Sequence, residues 1–315
     1  MPSRQVRSRT ESNGREVITE TTETPGTDGR FRTSRESVTE TVKTGADTTQ
    51  TKHEVFAPDA QGRRSLIEST QTDVQTSRDG SSRSVANTMT PDLNGRLNLS
   101  TREVKETKAL GPGARQTDIA VFRPGINSAL LESERLQVTE RKVSSSVTQN
   151  ESTRFLRDGN GKWQATETRS EEVRTSGNDR VAEETVNRIA DNGSLALSEK
   201  NVTRQTRSNG QDQTVVEKYS NTTGIYSRNA DRFQLNERVR VTTTTTAGGG
   251  QQTIREVEGR NPVAPDEPLR VNERVVETMR QVGPDRWEVE RQVFYRDGNG
   301  RLVPVLTEKG QASGK

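Results

Sequence analysis

The sequence predicts an all-β protein, an elongated antiparallel β-meander of about nine two-stranded repeats of 33 residues. Three observations predict it: an apolar residue that recurs at a nearly fixed step, a turn motif directly before it, and flanks rich in Thr, Val and aromatic residues. A step that holds along most of a chain is typical of repeat proteins. Short turns join neighbouring strands as hairpins, and strand twist would coil so extended a sheet around a minimal core.

We call the recurring apolar residue the anchor. The anchors are Phe31, Arg64, Leu97, Leu130, Trp163, Leu195, Phe233, Leu269 and Leu302. Their steps are 33, 33, 33, 33, 32, 38, 36 and 33 residues, and Arg64 replaces the apolar residue in one repeat. Ankyrin repeats share this period, but they need helices rich in Ala and Leu, whereas this chain is built from Thr, Ser, Arg, Glu and Val.

A turn of the form Asp-x-x-Gly precedes many anchors, as in Asp92 to Gly95 and Asp158 to Gly161. The Asp side chain can accept hydrogen bonds from its own turn, and Gly adopts φ > 0 without steric cost. We therefore predict positive φ at Gly95 and Gly161. A second turn lies midway between anchors, so each repeat holds two strands of about twelve residues, or ~40 Å at ~3.3 Å per residue.

Apolar clusters lie seven to nine residues before the anchors, for example Val55-Phe56 and Phe155-Leu156. Together with the anchors they should form a stripe along one edge of the sheet, the nearest equivalent of a core. Cross-strand pairs of Thr with Thr, and of Glu with Arg or Lys, should stabilise the remainder by roughly 0.2–1 kcal/mol each.

We predict disordered tails at 1–14 and 310–315, around a single repeat array over 15–309. The array should be looser near 247–270, which holds a run of glycines and the prolines Pro262, Pro265 and Pro268. Proline cannot donate to a sheet ladder. The charged strand at 15–24 and the apolar strand at 302–306 are the predicted sheet edges, and the second is a candidate for self-association.

Composition excludes several classes of protein. Hydrophobic residues make up 26% of the chain, too few for a two-layer core, so the sheet is wet on both faces or the chain is a largely disordered linker. The 48 basic and 45 acidic residues are interspersed, which argues against nucleic acid as a partner. The absence of Cys excludes disulfides and thiolate metal sites.

No apolar run reaches the roughly 20 residues of a membrane helix, and the sequence as given starts with no signal peptide. Membrane insertion is therefore not predicted, and a cell-surface or extracellular role would need another export route. The compartment is left open.

No catalytic, cofactor-binding or metal-binding residue is predicted. His53 is the only histidine and should be an exposed strand residue. The turns at Asp158 and Asp297 are hairpin turns in this interpretation, since calcium loops of the EF-hand type need an oxygen ligand at the fifth position, where this chain has the cations Lys162 and Arg301. Trp163, as an anchor, should pack, whereas Trp287 should be more open.

The sequence predicts a non-enzymatic structural or surface-interaction protein, such as a spacer, a stalk or a lattice element. The alternative is a binding module that presents a broad sheet face to a polysaccharide or a protein. A regular ladder of exposed aromatic residues would favour sugar binding, but the aromatic residues here are scattered.

Overall fold

The computed structural model describes residues 4–25, 30–127, 129–221, 233–246, 248–261, 264, 266–283 and 286–313. In these residues the regular structure consists of nineteen β-strands and no helix. The predicted all-β class is confirmed.

The strands follow one another through short connections. The first ten are β1 Arg4–Ser12, β2 Arg15–Pro25, β3 Phe31–Lys43, β4 Thr48–Pro58, β5 Arg64–Thr76, β6 Ser82–Pro91, β7 Leu97–Gly111, β8 Ala114–Pro124, β9 Leu130–Lys142 and β10 Val147–Arg157. The others are β11 Trp163–Ser176, β12 Asp179–Ile189, β13 Leu195–Ser208, β14 Gln211–Asn221, β15 Phe233–Thr245, β16 Gln251–Gly259, β17 Arg270–Gly283, β18 Arg286–Arg296 and β19 Leu302–Ser313.

The chain forms two compact units, one of Met1–Thr139 with Thr153–Ala165 and one of Glu140–Ser152 with Thr166–Lys315. In the first unit each strand from β1 to β8 pairs antiparallel with the next. The same holds from β11 to β19 in the second unit. Apart from a small contact between β17 and β19, the described strands of each unit pack substantially only against their chain neighbours. Each unit is therefore a meander of hairpins, as the repeat predicts.

The anchors mark the starts of the odd-numbered strands from β3 onward, with the single offset that β17 begins one residue after Leu269. The charged anchor Arg64 also begins its strand, β5, but it makes a different kind of contact from an apolar anchor. Its guanidinium lies 3.3 Å from the centroid of the Phe56 ring and donates to the Glu36 carboxylate at 2.6 and 3.1 Å. A planar cation can therefore cover the ring that an apolar anchor would otherwise cover.

The short turn before the anchor has the predicted chemistry. In the turn of Asp92, the Gly95 N–H donates to the Asp92 carbonyl at 2.9 Å, and Asp92 Oδ1 accepts from the N–H groups of Asn94 and Arg96 at 2.8 and 2.9 Å. Gly95 and Gly161 have φ of 76° and 78°, so the prediction of positive φ is confirmed. This is a three-residue hairpin loop that closes with a left-handed glycine.

A β-bulge lies three residues after most anchors, which the sequence interpretation did not foresee. Between β6 and β7, Thr88 pairs with Thr101 and the next residue, Met89, pairs with Leu99. Ser100 is therefore the extra residue of the bulge and has no partner in the register. The residues left over in this way are Ser34, Ile67, Ser100, Ser198, Asn236, Asn272 and Val305. Bulges bend the strand and increase its twist, so these seven repeats carry a bulge at the same place and should bend there in the same way.

Burial differs from the predicted stripe. Anchors such as Phe31 and Leu97 stay 46% and 42% exposed, and the buried apolar side chains in the described residues are Val55, Ala182, Val186, Val202 and Val293. Val55, Val186 and Val293 each lie nine residues before an anchor, opposite the residue that follows a bulge. The cluster before the anchor thus supplies buried valines, and the anchors do not.

The structure also differs from the prediction of disordered tails at 1–14 and 310–315. β1 lies within the predicted tail 1–14 and pairs with β2 along its whole length, through a turn in which Asn13 and Gly14 have φ of 51° and 73°. Asn-Gly is a strong signal for a two-residue hairpin loop, and a charged, Ser-rich composition concealed it. Because β2 lies between β1 and β3, the strand at 15–24 is not a sheet edge. β19 extends to Ser313, into the other predicted tail.

The range predicted to be looser, 247–270, contains the regular strand β16 and the connection from β16 to β17. Pro262 and Pro265 lie outside the described residues. On either side of them, the Arg260 guanidinium donates to the carbonyls of Leu235 at 2.6 Å and Glu267 at 2.9 Å, which ties this connection to the start of β15.

Candidate interaction surface

Ladders of polar side chains cross the sheet of the first unit. Thr39, His53, Thr70 and Thr88 lie opposite one another on four successive strands. Thr39 Oγ1 lies 2.8 Å from His53 Nδ1, and the Thr70 and Thr88 hydroxyls are 3.0 Å apart. His53 is half-buried within this ladder, so the prediction of an exposed histidine is wrong. The residues that cover it lie on neighbouring strands, and the sequence did not define the register that places them beside it.

A groove of about 570 Å³ opens on one face of the sheet in the first unit. Its lining residues are Arg83, Val104, Glu106, Asp118, Ile119, Ala120, Phe122, Glu132, Arg135, Gln137 and Phe155. Val104 lies opposite Ala120, and Glu106 lies opposite Asp118. Because directly opposed residues share a face, these side chains and Phe122 point to the same side of the sheet.

One small residue, Ala120, is part of the groove lining. Ala120 lies ten residues before its anchor, where other repeats have Glu54, Asn87, Thr153, Thr185 and Gln292. Its neighbours on the same face of β8 are Asp118 and Phe122, two residues away on either side. Since alanine ends at Cβ, the space above it stays open between a carboxylate and an aromatic ring.

Charges around the groove are only partly compensated. Arg83 pairs with Glu106 at 3.3 Å, and Arg135 donates two hydrogen bonds to Glu132 at 2.6 and 2.8 Å. The hydrogen bond from Arg135 lowers the pKa of Glu132, and the same bond raises the pKa of Arg135. Both cations of the groove are therefore already bound to carboxylates.

Asp118 has amide partners instead. Its two carboxylate oxygens each accept from Gln116 Nε2 at 3.0 Å, and Oδ1 also accepts from Gln137 Nε2 at 3.2 Å. In the described part of the chain no cation forms an ion pair with Asp118. The groove thus contains one half-buried carboxylate that lacks a countercharge.

The tryptophans contribute little open ring surface. The guanidinium Cζ atoms of Arg135 and Arg157 lie 4.3 and 4.8 Å from the centroid of the Trp163 ring, so Trp163 packs against cations. Trp287, predicted to be more open, is half-buried opposite Gln281.

The second unit carries a cross-strand ladder of ion pairs around the buried Glu217. This carboxylate accepts from Arg204 at 2.6 Å and from Arg238 at 3.0 and 3.1 Å. Burial acts to raise the pKa of Glu217, but the hydrogen bonds from the two arginines outweigh it and lower that pKa. Arg238 continues the ladder to Glu258 at 3.1 Å, which is the kind of Glu–Arg pairing that the sequence predicts.

Other polar groups serve the turns. Asp158 Oδ1 accepts from the N–H groups of Asn160 and Lys162, both at 2.8 Å, and Asp297 makes the equivalent bonds.

Among the described residues no group of three or more His, Cys, Asp or Glu side chains is placed to hold a metal ion. The described residues also include no helix that could cross a membrane.

Comparisons with known proteins found few similar proteins. No family model and no curated protein matches it. Among solved structures, the chain is similar to a porin-like protein from Bacteroides uniformis, with 11% identity, coverage of 89% of this chain and 96% of that one, and a TM-score of 0.17. A likeness at this level carries no inference about function.

Proposed function

We propose that this protein is a non-enzymatic structural or surface-interaction element, of the kind that serves as a spacer, a stalk or a part of a lattice. The observation that supports it is the packing within each unit. In the part of each unit that the structure describes, strands contact their chain neighbours and little else, so both faces of the sheet meet solvent. General acids need an apolar, water-poor pocket to raise their pKa, and the open groove of the first unit offers none.

The way in which the sheet is stabilised also suits this role. Thr ladders, cross-strand ion pairs and a few buried valines, which among the described residues are Val55, Val186, Val202 and Val293, distribute stability along the chain, as in other nearest-neighbour repeats. Stability of this kind does not depend on a single central core.

Self-association through a sheet edge belongs to the same proposal. In the second unit β19 pairs with β18, and the described residues of that unit provide no strand on its other side. Val305 and Leu306 are 54% and 45% exposed on this strand. Unpaired backbone groups beside apolar side chains favour pairing with another strand.

Small-angle X-ray scattering over a concentration series tests the proposal. Compact packing of a chain of this length gives a radius of gyration of about 20 Å, and the elongated form predicted from the repeat should exceed this by about half. Self-association should raise the apparent mass with concentration. A radius near the compact value would contradict the structural role, and a catalytic turnover that a single substitution abolishes would contradict the non-enzymatic one.

The second candidate function is a binding module with a protein or a polysaccharide as its partner. The groove above Ala120 favours it, because its volume lies within the range of ligand sites and it combines aromatic, apolar and charged groups. A structural element with uniform faces would have no need of such a depression.

A further inference from the structure

We propose that the groove above Ala120 binds a lysine or arginine side chain from an extended segment of a partner protein. This inference rests on the second candidate function, the binding module, and names the chemistry of its ligand. It follows from three features of the groove: its shape, its uncompensated charge and the limited exposure of the aromatic rings near it.

The shape fits a long aliphatic chain that ends in a cation. Ala120 and Val104 form an apolar floor, which suits the methylene stem of a lysine or arginine side chain. Phe122 lies on one side of this floor and Asp118 on the other. An aromatic ring and a carboxylate both attract a cation that is partly removed from water.

The charge of the groove selects a cation over an anion. Arg83 and Arg135 are already bound to Glu106 and Glu132, whereas Asp118 is bound to neutral amides alone in the described residues. An incoming cation would give Asp118 the countercharge it lacks, and an anionic ligand would meet three carboxylates. Complementarity of this kind determines which partners an interface accepts.

A sugar fits less well. Sugar rings stack on open aromatic faces, but the Trp163 ring, which the groove residue Arg135 contacts, packs against the guanidinium groups of Arg135 and Arg157. The remaining rings, Phe122 and Phe155, are half-buried. Polysaccharide binding is therefore the competing outcome of the test.

An extended segment fits the spacing of the groove. Asp118, Ala120 and Phe122 follow one another at intervals of two residues along β8, which is ~6.6 Å per interval. An extended peptide presents alternate side chains at the same interval. A cationic side chain above Ala120 would thus place the next side chain of the same face over a neighbouring position of the groove.

The test uses the full-length protein and an octapeptide of alternating lysine and threonine, capped at both ends. Binding is followed by amide chemical shifts in NMR and by calorimetry. We expect saturable shifts centred on Ala120 and Phe122, and no binding of the same peptide with acetylated lysines. Asp118→Asn and Ala120→Gln should each weaken binding by about tenfold or more, since one removes the charge and the other fills the space.

Matched controls are available in the second unit. Thr185→Gln introduces the same side chain at the equivalent repeat position, and Asp212→Asn removes one exposed carboxylate; both should bind the peptide as the natural chain does. Gln292 shows that a strand accepts glutamine at this position. If circular dichroism shows that Ala120→Gln does not fold, Ala120→Thr replaces it, because Thr153 and Thr185 hold this position elsewhere.

Unchanged affinity in Asp118→Asn and Ala120→Gln, or no saturable binding of the peptide, would overturn the proposal. So would shifts at Ala120 and Phe122 caused by neutral oligosaccharides but not by the peptide. That last outcome would support a binding module but contradict a basic peptide as its ligand. The structural role is tested separately, by the scattering experiment.

Discussion

Aspartate and glycine have separate functions in the Asp-x-x-Gly turns that precede many of the anchors. At Asp92 the carboxylate accepts the N–H groups of Arg96 and Asn94, and these hydrogen bonds lower its pKa, with that from Arg96 the largest cause. Gly95 closes the turn at a φ of 76°, where a Cβ would be strained although no atom lies within 4 Å of its position. The glycine requirement is therefore one of backbone conformation and not of space.

Replacement of these glycines tests that requirement. We expect Gly95→Ala and Gly161→Ala each to lower the free energy of unfolding by about 1 kcal/mol or more, because alanine disfavours positive φ. Gly159 belongs to the same turn as Gly161, and its φ is not in the left-handed region, so Gly159→Ala is the matched control and should be close to neutral. Chemical denaturation measures all three. Equal stability of the Gly161 and Gly159 variants would contradict the assigned turn.

Glu217 gives a prediction about pH. Its folded-state pKa is lowered, so its contribution to stability is fully present above the unfolded pKa of about 4.3 and is lost as pH falls through the folded value. Glu217→Gln should cost about 1–3 kcal/mol at neutral pH, because the buried carboxylate loses its charge-assisted hydrogen bonds from the half-buried Arg238 and the exposed Arg204. The difference from the natural chain should shrink below about pH 4.

Denaturation curves from pH 3 to 7 measure this difference. The exposed Glu151 of β10 supplies the control, since Glu151→Gln should leave stability nearly unchanged across that range. A Glu217→Gln penalty that stayed constant down to pH 3 would show that shape, and not charge, explains the role of Glu217.

At the scale of the element, the repeated bulge is bridged by a side-chain hydrogen bond. Ser100 Oγ donates to the Thr88 carbonyl at 3.0 Å, and Ser198 Oγ donates to the Val186 carbonyl at the same distance. Bulges leave the strand ladder locally incomplete. The hydroxyl of the extra residue reaches across and satisfies a carbonyl on the partner strand.

Removal of this hydroxyl should therefore be costly. We expect Ser100→Ala and Ser198→Ala to destabilise the protein by about 1 kcal/mol each, the usual value for one lost hydrogen bond. Ser170→Ala, at an exposed strand position, should change little. Thermal unfolding of the three variants measures the effect, and equal melting temperatures would show that the bulge needs no side-chain bridge.

The sequence predicted the hairpins but neither the bulge nor the groove, for a physical reason. Turns are local, so Asp, Gly and their spacing determine them within a few residues. A bulge and a groove depend on which residues of two strands lie opposite each other. Ala120 faces Val104 across a strand pair, and only the register shows that Val104 and Glu106 of β7 line the groove together with Ala120 and Asp118 of β8. A Ser or Asn three residues after several anchors was the signal available for the bulge.

At the scale of the whole chain, composition and periodicity pointed to opposite conclusions. A hydrophobic content of 26% is typical of disorder, whereas a repeat maintained over nine anchors indicates regular structure. The structure agrees with the periodicity, because strand pairing satisfies the backbone without a large core. Among the described residues, one valine is buried in the first unit and three are buried in the second, so the stability of each region should depend on its own neighbouring strands.

Reciprocal core substitutions in the second unit test this nearest-neighbour stability. Val202 of β13 and Val293 of β18 are 4% and 6% exposed, and their register partners lie on the adjacent strands alone. Each change to alanine removes two methyl groups, or about 1.6 kcal/mol at ~0.8 kcal/mol per buried group, and should speed local amide exchange by roughly tenfold or more.

Hydrogen exchange resolved by strand should then show two separate patterns. Val202→Ala should accelerate exchange in β12 to β14 and leave β18 and β19 unchanged, whereas Val293→Ala should do the reverse, so each variant is the control for the other. Nearest-neighbour coupling requires this, since a lost contact lowers the stability of the strands that made it. Equal acceleration from β12 to β19 in both variants would mean that the unit opens as one cooperative block, and that its few valines act as a shared core.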